Sequence, residues 1–354
     1  MGELYIRPLG LVYGPDAGAA VEQGAGLPLA GQPGIAWTAA SVSEDRGASW
    51  RVRKVQALKA SQDADVSSWV NRLSAPREAI CGLSMSTPQV MGIVNTTPDS
   101  FSDGGVNAEA DTAIANARAM AADGASLLDV GGESTRPGSD AVTEDEEWRR
   151  IAPVINALVA DGLVVSCDTR KASIMARAAE AGAQLINDVS ALTYEPNALP
   201  AAVKTGLPVC LMHAQGDPKT MQDDPRYENV LLDVYDWLEA RVDEVAKAGI
   251  SRSQIIADPG IGFGKTFQHN LDLLQGVALF HGLGIPVLLG ASRKGFIGAV
   301  TGEKVAARRQ AGSATAALHG IMCGVQIVRV HDVRETVHAA RLWRAAAGLS
   351  DLTG

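Results

Sequence analysis

The pattern of apolar and polar residues changes near residue 88. Beyond it, short runs rich in Val, Ile and Leu alternate with longer segments of helical period, such as 112–122, 231–248 and 305–318, which indicates parallel strands joined by helices. Eight strands are predicted, at 89–94, 126–130, 163–167, 183–187, 207–212, 254–257, 286–290 and 326–330. Eight strand–helix units over roughly 260 residues favour an α/β fold of the (β/α)8 TIM barrel type over an open doubly wound sheet, which usually has about five or six strands.

A polar residue stands at or just beyond the carboxyl end of every predicted strand. These residues are Asn95, Asp129, Asp168, Asn187, His213, Asp258, Ser292 and His331. In a barrel those ends meet at one mouth, which is where active sites lie. A single Asp or Asn in such a place is commonly a cap or turn residue. Eight of them together favour a functional site.

The first 86 residues follow a different pattern, with a stretch rich in Gly and Pro at 14–34 and short strand-like pieces around it. They predict a small β-rich N-terminal extension over residues 1–86, followed by the barrel over 87–350. Its tryptophans, Trp37, Trp50 and Trp69, are expected to pack a local core. Because the residues with candidate chemical roles lie after Met91, the extension is predicted to be dispensable for chemistry.

Composition excludes several classes of protein. The 354 residues carry a net charge of −9, so a basic nucleic-acid surface is not expected. The four cysteines are too far apart for a CxxC or metal-ligand spacing, which favours reduced thiols. No signal-peptide pattern opens the chain, and no apolar run approaches the roughly 18 residues that cross a bilayer. We therefore expect a cytoplasmic protein with no membrane or nucleic-acid partner.

The loops after the last two strands are rich in cation-capable side chains. These are Arg293, Lys294, Arg329 and His331. Barrels commonly hold a phosphate in these two loops. In a chain of net negative charge, this local concentration predicts an anionic group on the ligand.

The opposite wall of the predicted mouth carries acceptors instead. Asp168, Asn187 and Asp258 end three of the strands. A carboxylate can accept two N–H bonds side by side, and an amide can donate and accept together. This wall therefore suits a heterocycle that presents several N–H donors beside a carbonyl.

Five segments resemble motifs of the dihydropteroate synthase family, in the same order along the chain. They are MGIVNTTPDSFSDGG (91–105), DVGGESTRPG (129–138), DPGIGFGK (258–265), SRK (292–294) and RVHD (329–332). The resemblance runs from about Met91 to Val333. It implies that the chain joins 6-hydroxymethyl-7,8-dihydropterin pyrophosphate to p-aminobenzoate in folate biosynthesis, by an SN1-like cleavage of the C–O bond. The resemblance also implies that the protein uses Mg²⁺ as cofactor, forms a homodimer and is a target of sulfonamides.

The same resemblance assigns roles to residues. The pterin set is Asp168, Asn187, Met212, Asp258, Phe263 and Lys294. The pyrophosphate set is Asn95, Thr135, Arg136, Arg329 and His331, with Asn95 and Asp103 at the metal. The p-aminobenzoate set is Pro98, Phe101, Arg293, Lys294 and Gly295. Catalytic roles fall to Asp168, Lys294 and Asp103. One departure concerns Gly295, where many members have Ser, so a hydroxyl near the aminobenzoate is missing.

Two other functions stay open. A corrinoid-dependent methyltransferase barrel would share the Asp/Asn/Asp pterin wall but would not need the cationic set. A non-catalytic pterin-binding protein would keep the barrel and have lost the chemistry. Turnover of the pyrophosphate ester would distinguish the synthase from both.

Overall fold

The computed structural model describes residues 4–96, 106–133, 142–216 and 220–349. Among the helices of these ranges, none combines the length and the apolar character needed to cross a membrane.

The N-terminal segment contains an antiparallel sheet together with three helices, so it is less purely β than its sequence predicts. The long third strand is central: the first strand pairs along one edge, and the second and fourth pair along the other. The elements are β1 (Tyr5–Tyr13), α1 (Gly14–Glu22), β2 (Leu27–Leu29), β3 (Gln32–Ser43), β4 (Arg51–Lys54), α2 (Val55–Lys59) and α3 (Ala64–Ser74).

Eight parallel strands then form the predicted barrel. They are β5 (Gln89–Asn95), β6 (Leu127–Gly131), β7 (Val165–Asp168), β8 (Leu185–Asp188), β9 (Val209–Met212), β10 (Ile255–Asp258), β11 (Leu288–Leu289) and β12 (Ile327–Val330). Neighbours pair in the order β10-β9-β8-β7-β6-β5-β12-β11. A single bridge between Ala257 and Val287, with the Ala257 N–H donating to Pro286 O at 2.9 Å, links the two end strands. The prediction of a TIM barrel is confirmed.

Helices follow the strands and surround the barrel. They are α4 (Val106–Ala122), α5 (Glu144–Ala160), α6 (Ala172–Glu180), α7 (Ala198–Thr205), α8 (Val230–Ala248), α9 (Phe267–Gln275), α10 (Gly295–Thr301), α11 (Gln310–Met322) and α12 (Val333–Ala346), with 3-10 turns at Arg252–Gln254, Val277–Leu283 and Ala306–Arg308. The sequence predicted one helical segment over 305–318; its first turn is a separate 3-10 turn.

The floor of the barrel includes residues from before the predicted boundary. Ile80 and Met85 are buried among inward-facing residues near the amino ends of the strands, including Met91, Leu127 and Ile256. The division between residues 86 and 87 stays a prediction, but this packing groups 80–85 with the barrel. A truncation that keeps the floor must begin ahead of Ile80.

The N-terminal segment packs directly on the barrel's side. The ring of Trp69 stacks on Tyr235 of α8, with centroids 5.1 Å apart. The Tyr5 hydroxyl donates to both oxygens of Asp236, at 3.0 and 2.9 Å. Gly282 permits the approach of Trp69, since a Cβ there would lie 2.1 Å from its ring. The prediction of a local core fits the fully buried Trp37, whereas Trp69 joins the segment to the barrel.

Candidate functional site

A cavity of about 870 Å³ opens at the carboxyl ends of the barrel strands. It brings together all eleven predicted site residues that the structure describes. They are Asn95, Asp168, Asn187, Met212, Asp258, Phe263, Arg293, Lys294, Gly295, Arg329 and His331. The other predicted site residues, Pro98, Phe101, Asp103, Thr135 and Arg136, lie outside the described residues.

Arg329 lines the cavity and joins two carboxylates. Its Nε donates to Asp129 Oδ2 at 2.6 Å and its Nη2 donates to Asp168 Oδ2 at 2.7 Å. Asn187 Nδ2 also donates to Asp129 Oδ2, at 2.8 Å. Asp129 is fully buried, and its Oδ1 has no hydrogen-bond partner among the described residues. The four side chains come from β6, β7, β8 and β12, so the barrel itself fixes their positions.

Burial is the largest influence on the pKa of Asp168. It raises the pKa of Asp168 to about 7, against the opposing effect of the Arg329 guanidinium, while the Asp129 charge adds to the rise. A buried carboxyl is easier to protonate because its charged form loses solvation. Asp168 is thus placed to change charge near neutral pH.

Asp258 and the glycine loop that follows it form the opposite wall. Asp258 Oδ1 accepts the Gly260 N–H at 2.7 Å. Burial raises the pKa of Asp258, and the Gly260 N–H and the Lys294 ammonium oppose that rise. Gly260 has φ +67°, and a Cβ there would lie 1.9 Å from His213 O, so only glycine suits this close approach.

Lys294 and Phe263 meet across the cavity. The Lys294 Nζ lies 3.8 Å from the centroid of the Phe263 ring. A cation over an aromatic face is attracted by the ring's electron density. The pair therefore forms a wall of the cavity with one apolar and one cationic member.

Sequence reasoning gave no role to Lys265, which also lines the cavity. Its Nζ bonds with His213 Nδ1 at 3.0 Å and donates to the carbonyls of Phe263 and His213 at 2.9 and 3.2 Å. Burial lowers the pKa of Lys265 to about 7 and that of His213 to about 3. The available signal was its place in DPGIGFGK beside a strand-end histidine.

Arg293 and His331 are held by near neighbours. Arg293 forms an ion pair with Asp332 through Nη2 at 2.5 Å and Nε at 3.0 Å. His331 Nδ1 lies 3.0 Å from Ser292 Oγ, which also accepts the His331 N–H at 3.2 Å. The short loop after β11 and the end of β12 are therefore linked, in the region where barrels commonly hold a phosphate.

The predicted metal pair is described only in part. Asn95 lines the cavity, and its side-chain amide oxygen is a ligand that Mg²⁺ accepts. Asp103 lies outside the described residues. In the ranges that the structure covers, no group of three or more His, Cys, Asp or Glu side chains could hold a metal ion. The chemistry of Asn95 fits the predicted ion, but the magnesium site stays a prediction.

Comparison with known proteins agrees with this geometry. Residues 91–331 match the family described as pterin binding enzyme. Dihydropteroate synthase of Haemophilus influenzae is 48% identical over 266 residues, which cover 75% of this chain and 96% of that protein. The structure of Xanthomonas albilineans dihydropteroate synthase with 4-aminobenzoic acid is 45% identical in sequence, with a TM-score of 0.73 over 78% of this chain and 99% of that one. Its structure with 7,8-dihydropteroate is 42% identical, with a TM-score of 0.69 over 76% of this chain and 97% of that one. This chain belongs to the dihydropteroate synthase family.

Proposed function

We propose that the cavity joins 6-hydroxymethyl-7,8-dihydropterin pyrophosphate to p-aminobenzoate, releasing pyrophosphate and 7,8-dihydropteroate. One observation carries this assignment: the acceptors Asp258 and Asn187 line the same cavity as Lys294, Arg329 and His331. Acceptors suit the N–H donors of the pterin, and cations suit the pyrophosphate. The 4-aminobenzoic acid and the 7,8-dihydropteroate in the solved structures of the Xanthomonas albilineans enzyme support this substrate and this product.

The reaction begins with cleavage of the C–O bond between the pterin methylene and pyrophosphate, which leaves with the electron pair. The positive charge left on the methylene spreads into the electron-rich dihydropterin ring. The p-aminobenzoate nitrogen then forms the C–N bond and loses a proton. Buried carboxylates such as Asp258 stabilise the cationic ring, since fixed charges in a dry site require no reorganisation. No strong base in the protein is required.

Cationic side chains favour departure of the pyrophosphate. Arg329 and Lys294 line the cavity. By resemblance, Arg136 and the hydroxyl of Thr135 belong with Arg329 to the pyrophosphate set. Bound Mg²⁺, with Asn95 and Asp103 as ligands, would neutralise charge on the leaving group. The apolar members Met212 and Phe263 would flank the pterin ring.

The corrinoid-dependent methyltransferase is less well supported. That reaction has no pyrophosphate to stabilise, and it gives no reason for Lys294, Arg329 and His331 to share one cavity. A non-catalytic binding protein is tested by turnover. We expect pyrophosphate release from the purified chain only when p-aminobenzoate is present. Tight pterin binding without release would favour the binding protein, and methyl transfer from methyltetrahydrofolate would favour the methyltransferase.

Three further properties follow from the family assignment as proposals. These are assembly as a homodimer, inhibition by sulfonamides in competition with p-aminobenzoate, and a cytoplasmic location. Light scattering of the purified chain tests the first, and the dependence of sulfonamide inhibition on p-aminobenzoate concentration tests the second.

Gly295→Ser should be accepted by the fold and should lower the KM for p-aminobenzoate by about 2- to 10-fold, through one added hydrogen bond. A Cβ at Gly295 meets no atom within 4 Å, so the new hydroxyl has room at the cavity edge. Gly295→Ala is the matched control, because it adds the Cβ without the hydroxyl. Equal KM values for the Ser and Ala variants would show that the hydroxyl does not contact this substrate.

Binding of a dihydropterin ligand should strengthen severalfold between pH 6 and pH 8. Burial raises the pKa of Asp168 to about 7, so its carboxyl gains negative charge as the pH rises through neutrality. The ionised form accepts hydrogen bonds at both oxygens, whereas the protonated form carries an O–H donor on one of them. Calorimetry across this range should show the change in wild type and a flat profile in Asp168→Asn. A profile kept by Asp168→Asn but lost in Lys265→Met would assign the titration to the lysine.

A further inference from the structure

The N-terminal segment contacts the barrel beside the loop that leads into α8. Residues 43–49 form a turn in which the Gly47 N–H donates to Ser43 Oγ at 2.8 Å and the Ser49 N–H donates to Asp45 Oδ1 at 2.9 Å. Arg46 extends from this turn. Its Nη2 pairs with Asp233 at 3.0 Å and its Nη1 pairs with Asp236 at 3.1 Å, both on the first turns of α8.

Asp233 links Arg46 to the backbone at 228–229, just before α8. Its Oδ1 accepts from Arg46, and its Oδ2 accepts the N–H groups of Glu228 and Asn229 at 2.9 and 3.2 Å. The turn also packs against the Asn229 side chain, since a Cβ at Gly47 would lie 2.8 Å from Asn229 Nδ2. The segment at 228–229 is therefore fixed from the N-terminal side.

Tyr227, the preceding residue, connects to the wall of the cavity. Its hydroxyl donates to Gly264 O at 2.8 Å. Gly264 stands between Phe263 and Lys265, both of which line the cavity. A Cβ at Gly264 would lie 2.4 Å from Gln215 O, so this loop is closely fitted to the neighbouring one. A shift of Tyr227 would change the position of the Gly264 carbonyl.

We propose that Arg46, Asp233 and Tyr227 form a brace through which the N-terminal segment positions Phe263 and Lys265 at the substrate cavity. The three are positioning residues, since the contacts of each run to protein groups. Arg46 lies well outside the family match at 91–331. The inference opposes the expectation that this segment is dispensable for chemistry. The KM measurement that tests this proposal rests on the proposed function, whereas the amide-exchange measurement does not.

Stability alone would not reveal the brace. The Arg46 side chain is 46% exposed, and exposed ion pairs contribute little to the free energy of unfolding. Position matters more, because small displacements of the groups around a substrate weaken its binding. The expected signature is weaker pterin binding and faster exchange of the loop amides at a nearly unchanged melting temperature.

The test uses Arg46→Ala, Tyr227→Phe and the double variant in the full-length protein. Each single variant should raise the KM for dihydropterin pyrophosphate by about 2- to 10-fold, in line with the loss of one or two hydrogen bonds, and leave kcat within about 2-fold. Amides at 260–265 should exchange faster. The double variant should be no worse than the poorer single one, because both changes break one connection. Arg46→Lys should restore part of the affinity.

Arg53→Ala is the matched control. Its side chain is equally exposed at 46% and pairs with Glu44 at 3.8 Å within the N-terminal segment, so it should change neither KM nor exchange. Additive effects of the two changes, or a lower melting temperature with unchanged KM and exchange, would overturn the brace. A wild-type chain without turnover would refute the proposed function instead, and exchange at 260–265 would still decide on the brace.

Discussion

Arg329→Ala is expected to abolish measurable turnover and to lower the free energy of unfolding by about 3–5 kcal/mol, the usual cost of removing one partner from a buried ion pair. Arg329 pairs with Asp129 at 2.6 Å and Asp168 at 2.7 Å, and its side chain is only 21% exposed. Its loss leaves two acidic groups close together without their cation. Denaturant unfolding and the pyrophosphate-release assay measure the two effects.

Two further variants separate the structural part of this effect from ligand binding. Arg329→Ala combined with Asp129→Asn should recover part of the lost stability, because it removes one of the unpaired charges, but it should stay inactive. Arg149→Ala removes an exposed pair with Glu146 and should change stability little. If Arg329 binds the pyrophosphate, Arg329→Ala should weaken binding of the dihydropterin pyrophosphate ester more than binding of the unphosphorylated pterin alcohol. Equal losses would limit Arg329 to a structural role.

Asp258→Ala should weaken pterin binding by roughly 5- to 150-fold, which corresponds to about 1–3 kcal/mol for donors left without a partner in a buried site. The residue is only 6% exposed. Its Oδ1 also accepts the Gly260 N–H, so the change would loosen the glycine loop as well. Calorimetric titration with a pterin analogue measures the loss directly.

Asp258→Asn separates these two roles of the carboxylate. The amide keeps one oxygen for the Gly260 N–H but offers donors where the pterin N–H groups need acceptors. We therefore expect Asn to retain the loop and still bind the pterin poorly. Asp145→Asn, at a side chain that is 98% exposed, is the charge-matched control. Full pterin affinity in Asp258→Asn would remove this residue from the pterin site.

The strand pattern could be read from the sequence because it depends on local composition. The predicted run 89–94 became β5 (Gln89–Asn95), and 254–257 became β10 (Ile255–Asp258). The predicted ends of the strands were less accurate. In the predicted strand at 286–290, only Leu288–Leu289 pairs as a strand. Pairing depends on neighbouring strands, which a local pattern does not contain.

The approximate membership of the site was also predictable, because every barrel strand ends at the same mouth. The described members of the predicted sets line one cavity. The partners of those residues were not predictable. Arg329 was assigned to the pyrophosphate by resemblance, yet its guanidinium also pairs with Asp129. Lys265 was overlooked because the contacts of its Nζ are made with the ring and the carbonyl of His213, which lies in the loop after β9.

By itself, the sequence determined the alternation of strands and helices in the barrel, the barrel class and the set of polar residues at its mouth. Each of these follows from local periodicity and from the geometry that parallel strands share. Only the tertiary structure decided which charges pair, where the barrel floor begins and how the N-terminal segment reaches the cavity. Asp129 and Arg329 are 200 positions apart in the sequence, and Arg46 and Asp233 are 187 positions apart. Such contacts depend on the lateral packing of distant elements, which no local pattern encodes.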